Sequence, residues 1–132
     1  MVVHPVWADD PGMSLTDPVL EQQGSFELIG EAEFARLIGR RPASLEEIVG
    51  RQSVFFIEDG GQLRYLSFFV DPQYRRRDLY AASRKLGPLS GGTKLQFFTL
   101  PKASIWGITP LVALQRGMTA SVLRSAEGFK QR

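Results

Sequence analysis

The 132-residue chain lacks cysteine altogether and contains a single histidine, His4. The absence of cysteine excludes disulfides, zinc–thiolate sites and thiol nucleophiles. One histidine, close to the start of the chain, argues against a Ser/His/Asp triad and against a histidine metal site. We therefore expect no catalytic residues, no metal and no cofactor, and a binding protein rather than an enzyme.

The chain also lacks an apolar run long enough to span a membrane, and its first residues lack the basic start and apolar stretch of a signal peptide. These absences predict a cytoplasmic protein with no membrane partner. Hydrophobic residues make up 43% of the chain and charged residues 23%. Both fractions are ordinary for one soluble domain, and a chain of this length can bury a core without disulfides or metal.

The formal net charge of +2 is unevenly distributed. Residues 1–25 carry −4 and residues 26–74 carry −3, whereas residues 75–132 carry +9. Such an asymmetry suggests an anionic partner for the C-terminal half. A solvated basic face that the acidic half neutralises within a dimer explains it equally well.

Composition and hydrophobic periodicity divide the chain into three segments. Residues 1–25, with three prolines and no apolar period, are predicted to form a flexible tail. Residues 26–72 are predicted to contain an extended lead, a helix at 31–38 that Gly39 ends, a second helix, and a β-hairpin. Residues 73–132 are predicted to be helical.

Two local patterns define the middle segment. Ser44, followed three residues later by Glu47, fits a capping box at the start of the second helix. Asp59, Gly60 and Gly61 separate two β-rich runs at 53–58 and 62–70. An Asp-Gly sequence supplies the positive φ angles that a tight hairpin turn needs. The order of helix, turn, helix and hairpin predicts a winged helix-turn-helix-like module.

The C-terminal segment is predicted to form a helical bundle. Helices are expected at 75–86 and 90–100, then from Thr109-Pro110 to residue 115, and at 119–126 with Gly128 as the stop. The apolar positions expected to hold this bundle are Leu95, Phe98, Trp106, Leu111, Leu114, Val122 and Leu123. The predicted fold class is mainly α with a small β-hairpin (α+β).

Two apparent motifs have plainer interpretations. Residues 87–94 are rich in glycine and end in Thr93-Lys94, whereas a phosphate-binding loop needs the lysine before the hydroxyl residue. We interpret this stretch as a loop between helices. The aromatic side chains of the hairpin region are interpreted as core rather than as a base-stacking platform: Phe55, Phe56, Tyr65, Phe68 and Phe69.

DNA reading by the helix-turn-helix-like module remains an alternative. The candidate DNA-binding residues are Arg40, Arg41, Ser44, Arg51 and Arg64. Against it, Glu46 and Glu47 on the second helix would repel phosphates, and the chain contains no asparagine for reading base edges.

The stretch from Leu100 to Gly117 carries a family resemblance. A proline ends one helix, a short loop contains Gly107, Thr109-Pro110 opens a leucine-bearing helix, and a second glycine ends it. This pattern resembles the C-terminal domain of Xre/MbcA/ParS-type antitoxins, and the similarity extends over roughly residues 26–132.

The resemblance implies an antitoxin that dimerises and occludes the active site of a cognate RES-type, NAD-degrading toxin. The residues that it implies in toxin binding are Trp106, Arg116, Arg124, Phe129, Lys130 and Arg132. A DNA-binding transcriptional regulator and an orphan protein that kept the fold without a toxin are the alternatives.

Overall fold

The computed structural model describes residues 26–131, and the predicted tail at 1–25 lies outside this range. The described chain is mainly helical with a small three-stranded antiparallel sheet, so the α+β class is confirmed. In chain order the elements are β1 (Leu28–Gly30), α1 (Glu31–Leu37), α2 (Leu45–Gly50), β2 (Phe56–Asp59), β3 (Gln62–Leu66), α3 (Arg76–Lys85), α4 (Gly91–Thr99), α5 (Pro110–Gln115) and α6 (Thr119–Lys130).

The sheet has the order β1-β3-β2, with β3 in the centre. The β2–β3 turn has Gly60 at φ 59° and Gly61 at φ 81°. Two consecutive positive φ angles are what a two-residue hairpin turn requires, so the predicted tight turn is confirmed. The extended lead becomes a third strand, because Leu28 pairs with Leu66 across the sheet.

Two predictions for the middle segment are wrong. The second β-rich run ends at Leu66, and Ser67–Val70 forms a 3₁₀ helix that turns two phenylalanines into the core. The capping box is absent, because Ser44 belongs to a 3₁₀ turn at Pro42–Ser44 and has helical backbone angles. Its hydroxyl makes no cap hydrogen bond. An N-cap side chain usually needs extended backbone to reach the free amides.

The C-terminal helices begin where the sequence predicts. The Ser90 hydroxyl accepts a hydrogen bond from the Thr93 amide at 3.2 Å, which caps α4. The Thr109 hydroxyl accepts one from the Val112 amide at 3.1 Å, which caps α5. The predicted end of the last helix is wrong: α6 continues through Gly128 to Lys130.

The extension of α6 has a tertiary cause. By remaining helical, the chain brings the Phe129 ring to 5.3 Å from the Phe97 ring, between ring centroids. Burial of an aromatic side chain outweighs the loss of about 1 kcal/mol that a helical glycine entails.

One continuous hydrophobic cluster includes residues of both the 26–72 and the 73–132 segments. Phe55 of the middle segment stacks on Phe98 of α4, with ring centroids 5.9 Å apart. The hairpin aromatics are core, as expected, with Phe56 at the edge of the cluster. Trp106 is the exception among the apolar positions expected to hold the bundle, because it is 76% exposed, and Leu123 is only partly buried.

Candidate functional site

Trp106 is exposed on a loop that backbone hydrogen bonds close. It follows a 3₁₀ turn at Ala103–Ile105 and has left-handed backbone angles, with φ 53°. The Gly107 amide donates to the Lys102 carbonyl at 2.9 Å, and Lys102 and Ile108 form a β-bridge across the loop. A bulky residue at positive φ is strained. The hydrogen bonds that join Lys102 to Gly107 and Ile108, on either side of Trp106 in the loop, stabilise this conformation.

The Trp106 loop is tied to the last helix. The hydroxyls of Ser104 and Ser125 are 2.7 Å apart and share a hydrogen bond. A depression of about 250 Å³ between loop and α6 is lined in part by Lys102, Arg124 and Phe129. We call the Trp106 loop together with the exposed face of α6 the C-terminal surface.

Cation–π contacts order this surface. The Lys102 ammonium lies 4.8 Å from the Phe129 ring centroid and 5.4 Å from that of Phe97. Each such contact contributes roughly 0.5–1 kcal/mol at an exposed site. Phe129 is therefore partly buried within the protein, and it supports the surface rather than projecting from it.

The other residues implied in toxin binding have distinct places. Arg124 is exposed on α6 and donates to the Ser121 hydroxyl at 3.2 Å, whereas Lys130 forms an ion pair with Glu127 at 3.4 Å. Arg116 is exposed at the end of α5 and does not line the depression. Arg132 lies outside the described residues.

The candidate DNA-binding residues differ in exposure and in local partners. Arg40 and Arg41 are exposed in the turn before α2, and Ser44 is half-buried behind them. Arg51 makes an ion pair with Glu47, so its charge is locally balanced. Arg64 is half-buried in β3 and donates to the side chain of a neighbouring glutamine.

A second concave feature was not predicted from the sequence. A cleft of about 750 Å³ lies between β2 and the start of α4. Its walls are mostly apolar, and they include Val54, Phe55 and Leu89. Gly91 permits the close approach of the two elements, because a Cβ there would lie 1.8 Å from the Phe56 carbonyl oxygen. We call this feature the β2–α4 cleft.

Lys94 is the unusual side chain of the β2–α4 cleft. It lines the cleft yet is only 3% exposed, and its ammonium lies 5.9 Å from the centroid of the Phe55 ring. The ammonium donates to the carbonyl and the hydroxyl of Ser83 at 3.2 and 3.5 Å. Burial in these surroundings lowers the pKa of Lys94 from 10.5 to about 8.

A small polar cluster surrounds this lysine. The buried Ser83 hydroxyl donates to the Gln52 carbonyl at 2.7 Å, and Gln52 itself has a positive φ of 64°. Arg84 donates to the hydroxyl of buried Ser53 at 2.9 Å. Neither Lys94 nor Arg84 forms an ion pair with any described carboxylate. Within the part of the chain that the structure describes, the cluster therefore contains two cations and no carboxylate.

The interpretation of residues 87–94 as a loop between helices is correct only up to Ser90, because α4 begins at Gly91 and carries this wall of the cleft. The features of the sequence that could have indicated this wall are the glycines at 91 and 92 and the lysine at 94. The sequence does not show that Lys94 is buried, because its partners Ser83 and Phe55 are distant along the chain.

Within residues 26–131, no group of three His, Cys, Asp or Glu side chains is placed to hold a metal ion. None of the described helices is both long enough and apolar enough to cross a membrane. Comparison of the chain with protein-family models, with curated proteins and with solved structures finds no match.

Proposed function

We propose that this protein is an antitoxin-like regulatory protein that binds a cognate toxin enzyme through its C-terminal surface and occludes the active site. The proposal rests on the family resemblance together with one observation, the exposed side chain of Trp106 on a backbone with left-handed angles. Tryptophans that a partner buries on binding are frequent anchors of protein interfaces. A strained loop that holds a tryptophan out in water has no evident role in the stability of the isolated chain.

Electrostatics support the same surface. Residues 75–132 carry a charge of +9, and Arg124 lies on the exposed side of α6 near the Trp106 loop. An arginine binds phosphate oxygens in a bidentate manner. The proposed partner is an RES-type enzyme that degrades NAD, and its pocket would hold a pyrophosphate. Arg124 would contact the pyrophosphate of NAD held in that pocket, whereas Lys130 is paired with Glu127 and contributes less. The protein is proposed to act as a homodimer.

The test has two stages. The tagged full chain is used to isolate its partner from native lysate, and the rate of NAD consumption by the purified partner is then measured with and without the chain. We expect inhibition that weakens at least about tenfold in Trp106→Ala, since interface hot spots lose 2 kcal/mol or more on truncation. Leu37→Ala is the matched control, because Leu37 is the other exposed large hydrophobic residue among residues 26–131, at 41%.

Point variants are preferable to shortening the chain. Truncation before Phe129 would remove a side chain that packs on Phe97, and it would confound binding with folding. Arg124→Ala alters only an exposed side chain. A partner whose NAD consumption is unchanged by the intact chain would refute the proposal. Equal loss of inhibition in Trp106→Ala and Leu37→Ala would refute the assignment of the surface.

The second candidate function is DNA binding by a winged helix-turn-helix-like module. The order of α1, turn, α2 and β-hairpin favours it. The exposed Glu46 and the Arg51–Glu47 ion pair weigh against it, since phosphate contacts need unopposed cations. Titration of operator-length duplex DNA at increasing salt tests it. A steep salt slope that Arg40→Ala reduces would favour DNA binding.

A further inference from the structure

We propose that the β2–α4 cleft binds an amphipathic anion, with its apolar body against the cleft wall and its anionic group at Lys94. This site is separate from the C-terminal surface, and the inference does not depend on the proposed toxin. It rests on the coincidence of an apolar cleft and a buried cation that forms no ion pair with a carboxylate of residues 26–131.

The cavity has the dimensions of a small-molecule site. A volume of about 750 Å³ falls within the range of roughly 300–1,000 Å³ typical of ligand pockets. Most of its wall is apolar, with Val54, Phe55 and Leu89 as contributors. Such a wall suits an aliphatic or aromatic body rather than a sugar or a nucleotide.

The charge complementarity is specific to an anion. The Lys94 ammonium makes its two hydrogen bonds to neutral groups, the carbonyl and the hydroxyl of Ser83. A buried ammonium without a counter-charge is unfavourable, and an anion that enters the cleft would supply the missing charge. The N-terminus of α4 lines the same cleft, and its partial positive charge has the same sign as the Lys94 ammonium.

The rest of the lining limits the ligand's charge. Glu58 lies on β2 at the cleft, is exposed, and would oppose a second negative group near it. A ligand with one anionic group and an apolar body therefore fits better than a polyanion. A medium-chain carboxylate is the simplest member of this class, and decanoate is the probe of choice.

Titration calorimetry of the full chain with decanoate and with decanol tests the proposal. Decanol has the same chain without the charge, so it reports the apolar contribution alone. We expect decanoate to bind at least about tenfold more tightly than decanol, as charge-assisted hydrogen bonds predict. Lys94→Met should remove this preference and leave decanol binding within about twofold, since methionine keeps the length and apolar body of the side chain.

Lys85→Met is the matched control, because Lys85 is an exposed lysine of α3 that does not line the cleft. It should bind decanoate as the unaltered chain does. Circular dichroism verifies that both variants fold. NMR of the Lys94 side chain adds an independent readout, since a bound anion should raise the pKa of its ammonium.

Three outcomes would overturn the proposal. They are equal binding of decanoate and decanol by the unaltered chain, no binding of either, and a decanoate preference that survives in Lys94→Met. A preference that disappears in Lys94→Met and persists in Lys85→Met would support it.

Discussion

Replacement of Lys94 by methionine should stabilise the protein. The side chain is 3% exposed, and among residues 26–131 its ammonium has only the neutral oxygens of Ser83 as hydrogen-bond partners. A buried cation loses its hydration without recovering it from a carboxylate, and an apolar side chain of similar volume avoids this loss. The Ser83 hydroxyl keeps its own acceptor, the Gln52 carbonyl, whereas the buried Ser83 carbonyl loses the donor that Lys94 supplies.

The pKa of Lys94 sets the size of the effect. Burial lowers this pKa from 10.5 to about 8, which corresponds to about 3 kcal/mol of unfavourable free energy while the lysine is charged. Since the lost hydrogen bonds offset part of this gain, we expect Lys94→Met to raise the free energy of unfolding at pH 7 by about 1–3 kcal/mol.

The same pKa predicts the pH dependence of stability. Between about pH 8 and 10.5 the unfolded chain keeps the Lys94 proton and the folded chain has lost it. The unfolded state therefore binds more protons, and stability rises with pH by up to about 1.4 kcal/mol per pH unit. Burial raises the pKa of Tyr65 and of Tyr74 from 10.0 to about 12. Above pH 10 the folded state therefore retains tyrosine protons that the unfolded state loses, and stability falls.

Urea unfolding of both proteins at several pH values between 7 and 11 measures these effects. The unaltered chain should be most stable near pH 10, and Lys94→Met should lack the rise between pH 8 and 10. If the variant is less stable than the unaltered chain at pH 7, or if its pH profile keeps the same rise, the assignment of Lys94 as an uncompensated buried cation is wrong. Lys85→Met should reproduce the unaltered profile, because that lysine is exposed.

Substitutions at four further positions test the packing and the helix cap by urea unfolding. Gly91→Ala should destabilise by about 1–3 kcal/mol or more, because its Cβ meets the Phe56 carbonyl. Gly92→Ala has open space and should be neutral or stabilising by up to about 1 kcal/mol; equal losses in the two variants would contradict the close approach. Thr109→Ala should lose about 0.5–2 kcal/mol by removing the α5 cap, and Thr109→Ser should restore most of it. Leu114→Ala should lose about 2–5 kcal/mol, and an unchanged midpoint would show that α5 does not pack as described.

Features that depend on a few neighbouring residues could be predicted from the sequence. The turn at Gly60 and Gly61 and the helix start at Thr109-Pro110 are of this kind. In each case the backbone angles or the cap hydrogen bond are determined by side chains within three residues. The fold class follows from these local elements and from the period of the apolar residues between them.

Features that depend on distant packing could not be predicted. Gly128 has the local character of a helix stop, yet α6 continues past it because Phe129 packs on Phe97. Trp106 is a large apolar residue of the kind expected in the core, yet the loop that its neighbours' hydrogen bonds close leaves it exposed to solvent. In both cases a tertiary contact or a loop conformation outweighs the local preference.

Lys94 shows why the candidate sites are harder to predict than the fold. As the last residue of a glycine-rich stretch it suggested only a failed phosphate-loop match, and an isolated lysine in a sequence is normally an exposed one. Its burial results from the meeting of α3, α4 and the segment before β2, through Ser83 and Phe55. A charge becomes chemically unusual only when the fold removes its water and supplies no counter-charge. Counting the charges of a sequence segment indicates what kind of partner its exposed surface could bind. The β2–α4 cleft depends on a single cation, Lys94, and such a count does not distinguish it from the other ten Lys and Arg residues of 75–132.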